Sequence, residues 1–344
     1  MTDEGRLFWC LNLRVTRDLD RGLLKIDQAQ YAQEIIERFG MECANPRVTP
    51  MREKPVLSVV TCPDKSDNYQ ETFPYASALG AILYMRLTRP DCMVAISILA
   101  RFMQNPSKQH WTAIKDILRY LKGSRNRGLL YTSSGLTLDE VWTLTLWVDS
   151  DYATCPDTRR SRAGYLAFLN KTLLSFNSVQ QRGSKRPAVC DGLRDKYPGL
   201  VMPPTPMDGE PLPSMATGTC EAEYMALSLA VKELIWLYML LRSMGIKVRR
   251  PCVVYEDNSA ALKIANNATA IKRTKHIDVR HHFLREHVNQ GTIAILPVST
   301  KEQLADVMTK VLGTELFLRF RNYITSDVDL TRTDKRTKGS TNED

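Results

Sequence analysis

The stretch Leu144-Thr145-Leu146-Trp147-Val148-Asp149-Ser150-Asp151-Tyr152 constrains this chain more than any other. Trp142, Leu144, Leu146 and Val148 recur at period two on one face of an extended segment, and Thr143, Thr145, Trp147 and Asp149 occupy the other. A strand apolar on one face and partly apolar on the other is covered on both sides, which argues for helices above and below a sheet. The same alternation delivers a carboxylate, Asp149, into the C-terminal half of the strand, with Asp151 close behind. Burying one carboxylate costs several kcal/mol unless something compensates, and a metal ion is one such compensation. Alone, the stretch favours a plainer reading, in which Asp149 is the first polar residue of a turn. Three acids further along change the balance.

At 344 residues the chain has room for two or three domains, and 43% hydrophobic with 25% charged residues is a globular composition. Leu234 to Leu241 is too short to span a bilayer and sits inside an amphipathic pattern, so no membrane partner is expected. The start, Met1-Thr2-Asp3-Glu4-Gly5-Arg6, lacks the form of a signal peptide, which leads us to expect a cytoplasmic or nuclear setting. Eight scattered cysteines (Cys10, Cys43, Cys62, Cys92, Cys155, Cys190, Cys220, Cys252) show no metal-ligand spacing, which argues against a structural zinc. A net charge of +9 permits a polyanionic partner without identifying one.

Residues 6–15 alternate as a strand, Asp18 to Gly22 turn, and Leu23 to Ile26 return as a second strand. Gln28 to Phe39 reads as a helix stopped by Gly40. Residues 45–50 are extended and 62–68 loop-like. Helical stripes follow at Tyr75 to Tyr84, at about Asp91 to Met103, and from Pro106-Ser107 to Gly123, with Leu87-Thr88-Arg89-Pro90-Asp91 as a break. Their apolar residues read as scaffold.

From residue 142 the order is strand, strand, strand, helix, strand, helix, helix, strand, helix, an α/β layout with a mixed sheet. The strands fall at Trp142 to Asp149, Gly164 to Asn170 and Leu173 to Val179. Prolines and glycines crowd residues 183 to about 217, which read as a long loop. Glu221 opens a helix running to about Ser243, with Glu223 in line with its apolar stripe. Pro251 to Tyr255 is a strand leading through Asp257 into a helix at Ala260, Arg273 to Asn289 a basic helix, and Thr292 to Val298 a strand. Thr300 and Gln303 fit a capping box for a last helix, whose stripe of Leu304, Val307, Met308 and Val311 leaves Asp306 on the solvent side.

Each acid has a plainer role available. Glu223 suits a first helical turn, where the helix dipole favours a negative charge. Asp257 suits a helix cap. Taken together, four carboxylates beyond the strand ends would repel one another unless cations sat among them. Oxygen ligands suit Mg²⁺ or Mn²⁺, and two such ions about 3.5–4 Å apart support phosphodiester hydrolysis with no protein nucleophile. The choice left by spacing alone is a metal-dependent phosphoryl-transfer site or an acid-decorated scaffold.

Specific motifs then narrow the field. Trp147-Val148-Asp149-Ser150-Asp151-Tyr152-Ala153, Pro156-Asp157-Thr158-Arg159-Arg160-Ser161 and Gly164-Tyr165 resemble the start of the ribonuclease H domain of copia-type LTR-retrotransposon Pol polyproteins. Glu221-Ala222-Glu223-Tyr224-Met225-Ala226-Leu227, Glu256-Asp257-Asn258-Ser259-Ala260, Arg273-Thr274-Lys275-His276-Ile277-Asp278 and Gln303-Leu304-Ala305-Asp306 with Thr309-Lys310 continue the pattern. Upstream, Arg38-Phe39-Gly40-Met41, Thr49-Pro50-Met51, Leu87-Thr88-Arg89-Pro90-Asp91 and Leu118-Arg119-Tyr120-Leu121-Lys122-Gly123 resemble the end of the reverse transcriptase and its connection region.

The resemblance implies a ribonuclease H-like α/β fold, a mixed five-stranded sheet with flanking helices, preceded by a small α+β region derived from the reverse transcriptase. It divides the chain into 1–51 (end of the reverse transcriptase), 52–135 (helical connection), 136–323 (ribonuclease H-like, with the Pro-rich insertion) and 324–344 (a disordered tail). It implies hydrolysis of the RNA strand of an RNA–DNA hybrid with two Mg²⁺ ions, for which Mn²⁺ can substitute. Asp149 would bridge both metals, Glu223 would hold one and position phosphate or water, and Asp257 and Asp306 would ligate the two metals. Arg159, Arg160 and Lys275 would contact phosphates of the hybrid, giving affinity without sequence choice.

Two departures set the rival reading. The Asp-Asp metal motif of the polymerase is not found, so no polymerase activity is expected from this chain, and a polymerase domain would act in trans. The Pro-rich stretch stands beside Glu223, either as a loop insertion or as translated non-coding sequence in a decayed element. The rival is therefore a non-catalytic remnant that keeps the fold and at most binds nucleic acid. Glu223 pointing away from the other acids would favour it.

Overall fold

The structure is a computed structural model that describes residues 5–53, 57–59, 73–133, 140–181, 219–266 and 275–330. The expected loop at 62–68, the Pro-rich stretch and the tail from 331 lie outside the described residues.

The alternation over residues 6–15 does not make one strand. β1 (Trp9–Cys10) and β2 (Leu13–Asp18) form a tight antiparallel hairpin with Cys10 opposite Leu13. Leu11 and Asn12 turn the chain at φ of 48° and 57°. Positive φ at both central residues gives a turn whose twist matches the strands. Leu11, at the tip, is 80% exposed, so its place in the alternation carries no burial. β3 (Leu23–Asp27) and β4 (Gly128–Thr132) complete a four-stranded antiparallel sheet in the order β1-β2-β3-β4. The stretches on either side of residue 51 thus share one sheet.

Four helices lie with this sheet: α1 (Ala29–Arg38), α2 (Tyr75–Met85), α3 (Met93–Leu99) and α4 (Lys108–Gly123). The helix expected over 91–103 is three short pieces, because a 3₁₀ turn flanks α3 on each side, at Pro90–Cys92 and Ala100–Phe102. The break before it is structural. Arg89 is fully buried and holds Asp91 through Nη2 at 2.8 Å and Nε at 3.0 Å. The Tyr120 hydroxyl donates to the same carboxylate.

The second sheet has the order β11-β10-β6-β7-β8. Its strands are β6 (Leu144–Asp151), β7 (Arg162–Leu169), β8 (Thr172–Gln180), β10 (Cys252–Glu256) and β11 (Ile293–Pro297). β6 runs parallel to β10, and β10 to β11, while β7 is antiparallel to both β6 and β8. This mixed five-stranded sheet with flanking helices is the expected ribonuclease H-like architecture. Trp142 does not extend β6. It belongs to β5 (Val141–Trp142), which pairs with β9 (Lys247–Val248) in a separate ribbon.

Both faces of the sheet are covered, as the composition of β6 requires. On one face Leu144, Leu146 and Val148 share a core with Leu227, Ala230, Leu234 and Leu241 of α5 (Thr219–Ser243). By length and composition α5 could cross a membrane, contrary to the expectation from the shorter run; here it is the core helix on β6 and β7. On the other face Leu166, Phe168 and Leu173 share a core with Leu79, Ile96 and Ile117 of α2, α3 and α4. α6 (Ser259–Asn266) and α7 (Lys275–Asn289) lie between β10 and β11 in the chain.

The last helix differs from expectation. After a 3₁₀ turn at Thr300–Glu302 the chain makes a one-turn helix, α8 (Asp306–Thr309), and then α9 (Thr314–Ile324). Gln303 forms no capping box; it is buried, donating from Nε2 to the Val148 carbonyl at 2.8 Å and accepting at Oε1 from the Ala305 N–H at 3.3 Å. The chain beyond Ile324 stays on the first sheet as far as Val328, whose carbonyl accepts from Lys25 Nζ at 2.8 Å. Ser326 bridges Gly128, and Asp327 pairs with Arg127 at 3.3 Å.

Candidate active site

Asp149 lies opposite Gly164 in the β6–β7 register and is 1% exposed. Its parity sends it to the face where α8 packs. Two groups of the α8 turn meet it there: the Thr309 hydroxyl donates to Oδ2, and Lys310 Nζ lies 3.2 Å from Oδ1. The approach depends on Gly164. A Cβ at that position would stand 2.6 Å from Met308 Cβ and 2.8 Å from Thr309 Cγ2.

Asp306 is therefore not on a solvated face. It is 5% exposed, and Lys310 Nζ donates to its Oδ1 at 2.7 Å while also reaching Asp149. The stripe that set Asp306 outward assumed a continuous helix over 300–311, and the chain makes a single turn instead. Burial, then the charge of Asp149, pushes the Asp306 carboxyl up to about 7. Burial alone would lower the Lys310 ammonium, but Asp149 and Asp306 hold it above the usual lysine range.

Glu223 sits near the head of α5 and points into the sheet end. Carboxylate oxygens of Asp149, Glu223 and Asp257 all lie within 4.8 Å of one another. Asp257 does not cap α6. Asn258 does so, its Oδ1 accepting from the Ala260 and Ala261 N–H groups at 3.0 Å each. Glu223 Oε2 is buried with no hydrogen-bond partner. Burial and the charges of Glu256, Asp149 and Asp257 raise its carboxyl to about 10.

Glu256 lies in one of the motifs that carry the resemblance, and neither spacing nor resemblance assigns it a role. It ends β10 on the face of Cys252 and Val254 and is 0% exposed. Its Oε1 accepts from the Asn258 N–H at 3.1 Å, whereas Oε2 has no partner. Burial and Asp257 push it up to about 8. The signal was present in the sequence: an acid in step with the two buried residues of its strand. Thr309, Lys310 and Gly164 likewise stand out in the sequence through resemblance alone, and each one shapes the site.

Arg159 and Arg160 are exposed in the turn after β6, Arg159 at φ of 52°. Neither belongs to the acid cluster. Lys275 opens α7, and its side chain lies outside the described residues.

The donor set around Asp149 fits a hard divalent cation. Every ligand is a carboxylate oxygen, the oxygens come from three separate elements, and a buried orphan oxygen of Glu223 is among the groups gathered there. Asp149, Glu223 and Asp257 can hold one such ion. Asp306 joins them only through the Lys310 bridge.

No family model matches the chain. It is 33% identical over 321 residues to the retrovirus-related Pol polyprotein from transposon TNT 1-94 of Nicotiana tabacum, covering 92% of this chain and 21% of that protein. To the Pol polyprotein from transposon RE1 of Arabidopsis thaliana it is 31% identical, covering 94% of this chain and 19% of that protein. Among solved structures it is similar to a ribonuclease H1 isolated from compost by a metagenomic approach, at 12% identity and a TM-score of 0.32, over 48% of this chain and 92% of that one. The chain thus spans about a fifth of the length of the Pol polyproteins it matches. Through identity that runs over nearly all of its own length, the chain is homologous to a segment of the retrovirus-related Pol polyproteins of copia-type transposons.

Proposed function

We propose that this chain is a ribonuclease H that hydrolyses the RNA strand of RNA–DNA hybrids with the help of divalent metal ions. The observation that carries the reading is the convergence of Asp149, Glu223 and Asp257 from β6, α5 and the end of β10 within 4.8 Å. Two Mg²⁺ ions, or Mn²⁺ in their place, supply activation of the attacking water and stabilisation of the leaving oxygen when bound. The chain's own part is to hold oxygen ligands at fixed spacing. Asp149 is fixed by the Thr309 hydroxyl and by Lys310. Glu223 is carried on a long helix packed into the core, so its carboxylate reaches the cluster without a flexible loop. Lys310 keeps Asp306 beside Asp149.

The rival reading, a remnant that binds without cleaving, would gain from Glu223 turned away, and the inclusion of Glu223 in the cluster supports the enzyme. In this proposal the polymerase domain acts in trans, and the hybrid is met in the cytoplasm, in virus-like particles or in the nucleus. The test is cleavage of a labelled RNA–DNA hybrid in Mg²⁺ and in Mn²⁺, with single-stranded and duplex RNA as comparisons. Metal-dependent cleavage of the hybrid alone is expected, and Asp149→Asn abolishes it. Folded wild-type chain that binds the hybrid and leaves it intact would replace the nuclease with the remnant.

A further inference from the structure

Beside Lys310, on the face of the second sheet that meets the N-terminal helices, lies a cavity of about 360 Å³. Well-separated stretches of the chain wall it: Leu57, Ile98 in α3 and Arg101 just after it, Asp151 through Arg162, Gln180 of β8, and Thr309 to Val311. Its charged lining is Arg101, Arg160, Arg162 and Lys310 against a single acid, Asp151.

Two of these arginines are held in place by neighbouring side chains. Arg162 is 6% exposed, and its Nη1 donates to the Ser97 hydroxyl. Among the described residues no carboxylate lies within ion-pair distance of it. Arg101 stacks 4.9 Å above the Phe102 ring, with its Nη1 2.6 Å from Cys155 Sγ and 3.8 Å from Asp157. Burial and the nearby charge of Arg101 both disfavour the Arg162 cation, lowering it to about 10. A buried guanidinium without a paired carboxylate is complementary to an anion, and its planar fork matches phosphate oxygens.

The cavity also touches the acid cluster. Lys310 lines it and lies 3.2 Å from Asp149, and Thr309 lines it while donating to Asp149. An anion seated there is one side chain away from the position proposed for the scissile phosphate. A nucleic-acid strand offers phosphates at such short intervals. We infer that this cavity is a subsite for a backbone phosphate neighbouring the scissile one, built jointly by the connection helices through Arg101 and by the ribonuclease H-like unit through Arg160 and Arg162. The inference rests on the nuclease reading for the identity of the strand, and on the cavity alone for its anion chemistry.

The test uses the full chain in two arms. The first titrates inorganic phosphate by calorimetry into wild type, Arg101→Ala and Arg101→Lys. The second measures binding and cleavage of a labelled hybrid over a series of salt concentrations. Wild type should bind phosphate and Arg101→Ala should lose it. Hybrid affinity should fall about tenfold in Arg101→Ala, and the slope of log affinity against log salt should become shallower by about one. KM should rise while kcat at saturating hybrid stays close to wild type. Arg101→Lys should keep the salt slope and recover part of the affinity, since it keeps the charge and loses the fork. Arg21→Ala, in the β2–β3 turn, should leave every readout unchanged. Hybrid cleavage with no phosphate binding, or with affinity and salt slope intact in Arg101→Ala, overturns the subsite and keeps the nuclease. Arg101-dependent phosphate binding with no hybrid cleavage keeps the subsite and removes the nuclease.

Discussion

Gly164 is the residue on which the geometry around Asp149 most directly depends, and Gly164→Ala tests that dependence with one methyl group. The new Cβ would lie 2.6 Å from Met308 Cβ, 2.8 Å from Thr309 Cγ2 and 3.2 Å from the Met308 carbonyl carbon. Carbon atoms rest at about 3.5–4.0 Å, so α8 must retreat by about 1 Å. It cannot yield by a rotamer change alone, because one of the three atoms is backbone and Met308 is fully buried. Overpacking of this kind costs about 1–3 kcal/mol. The retreat carries Thr309 and Lys310 away from Asp149 and takes Asp306 with them. A shift near 1 Å in a ligand is worth about 100-fold in rate.

Two measurements check the chain of reasoning. Urea denaturation should show a loss of about 1–3 kcal/mol in Gly164→Ala, and hybrid cleavage should fall by about two orders of magnitude with KM little changed. Gly80→Ala is the matched control. It lies exposed in α2 with nothing within 4 Å of the added Cβ, and should stabilise by about 0.5–1 kcal/mol through helix propensity. Wild-type stability and wild-type cleavage in Gly164→Ala would mean that α8 does not rest on the sheet as described, and the account of Asp306 would fall with it.

The remaining predictions concern charge. Glu223, Glu256 and Asp306 have folded pKa values raised to about 10, 8 and 7. Unfolded carboxyls titrate near 4. Groups raised in this way bind protons more tightly when folded. Their stabilising contribution is complete below about pH 4 and is lost as pH rises through the folded values. Metal-free Tm should therefore fall between about pH 5 and pH 9, and Mg²⁺ should raise Tm more at about pH 8.5 than at about pH 5.5; an equal shift at both would contradict the clustering. Glu256→Gln keeps an acceptor for the Asn258 N–H and removes one buried charge, so metal-free stability near pH 8 should rise by about 1–2 kcal/mol, read by urea denaturation. Asp91→Ala strands the fully buried Arg89 guanidinium and should cost about 3–5 kcal/mol in the same assay, whereas a loss under about 1 kcal/mol would mean that the pair is not closed to water.

What could be read in the sequence was local. The alternation through Leu144, Leu146 and Val148 is set by the pleat, so β6 and its two covered faces followed from nine residues, whereas the role of Asp149 needed the acids downstream. The stripe of α5 is equally local, and Glu223 falls where that stripe placed it. The failures are of two kinds. Alternation cannot report a reversal inside itself, which is why Leu11 and Asn12 hid a hairpin. Helical periodicity cannot report contact with a distant glycine, which is why Asp306 was placed toward solvent when Gly164 lets its turn lie on the sheet. Glu256 belongs to neither kind. Its register with Cys252 and Val254 was legible, and a buried acid beside a candidate ligand carries chemistry of its own. The arginine cavity was out of reach, because its walls come from distant stretches that nothing local connects.

The acid cluster cannot hold itself together. Asp149, Glu223, Glu256 and Asp306 are all buried, and the ion pairs among the described residues set one cation, Lys310, against them. Their repulsion must be balanced by packing elsewhere, and the sheet has a separate core on each face to do so. On the face that receives α8, the core is not the property of the ribonuclease H-like unit. Leu166, Phe168, Leu173, Leu304, Val307 and Met308 bury against residues of α1, α2, α3 and α4. Each such side chain contributes about 1.5–3 kcal/mol of burial, so the six together rival the whole stability of an ordinary domain. A chain cut near residue 135 would expose that set directly beneath α8. The helices before residue 135 are thus part of what keeps Asp306 and Lys310 against Asp149, which gives them a mechanical reason to accompany the acids.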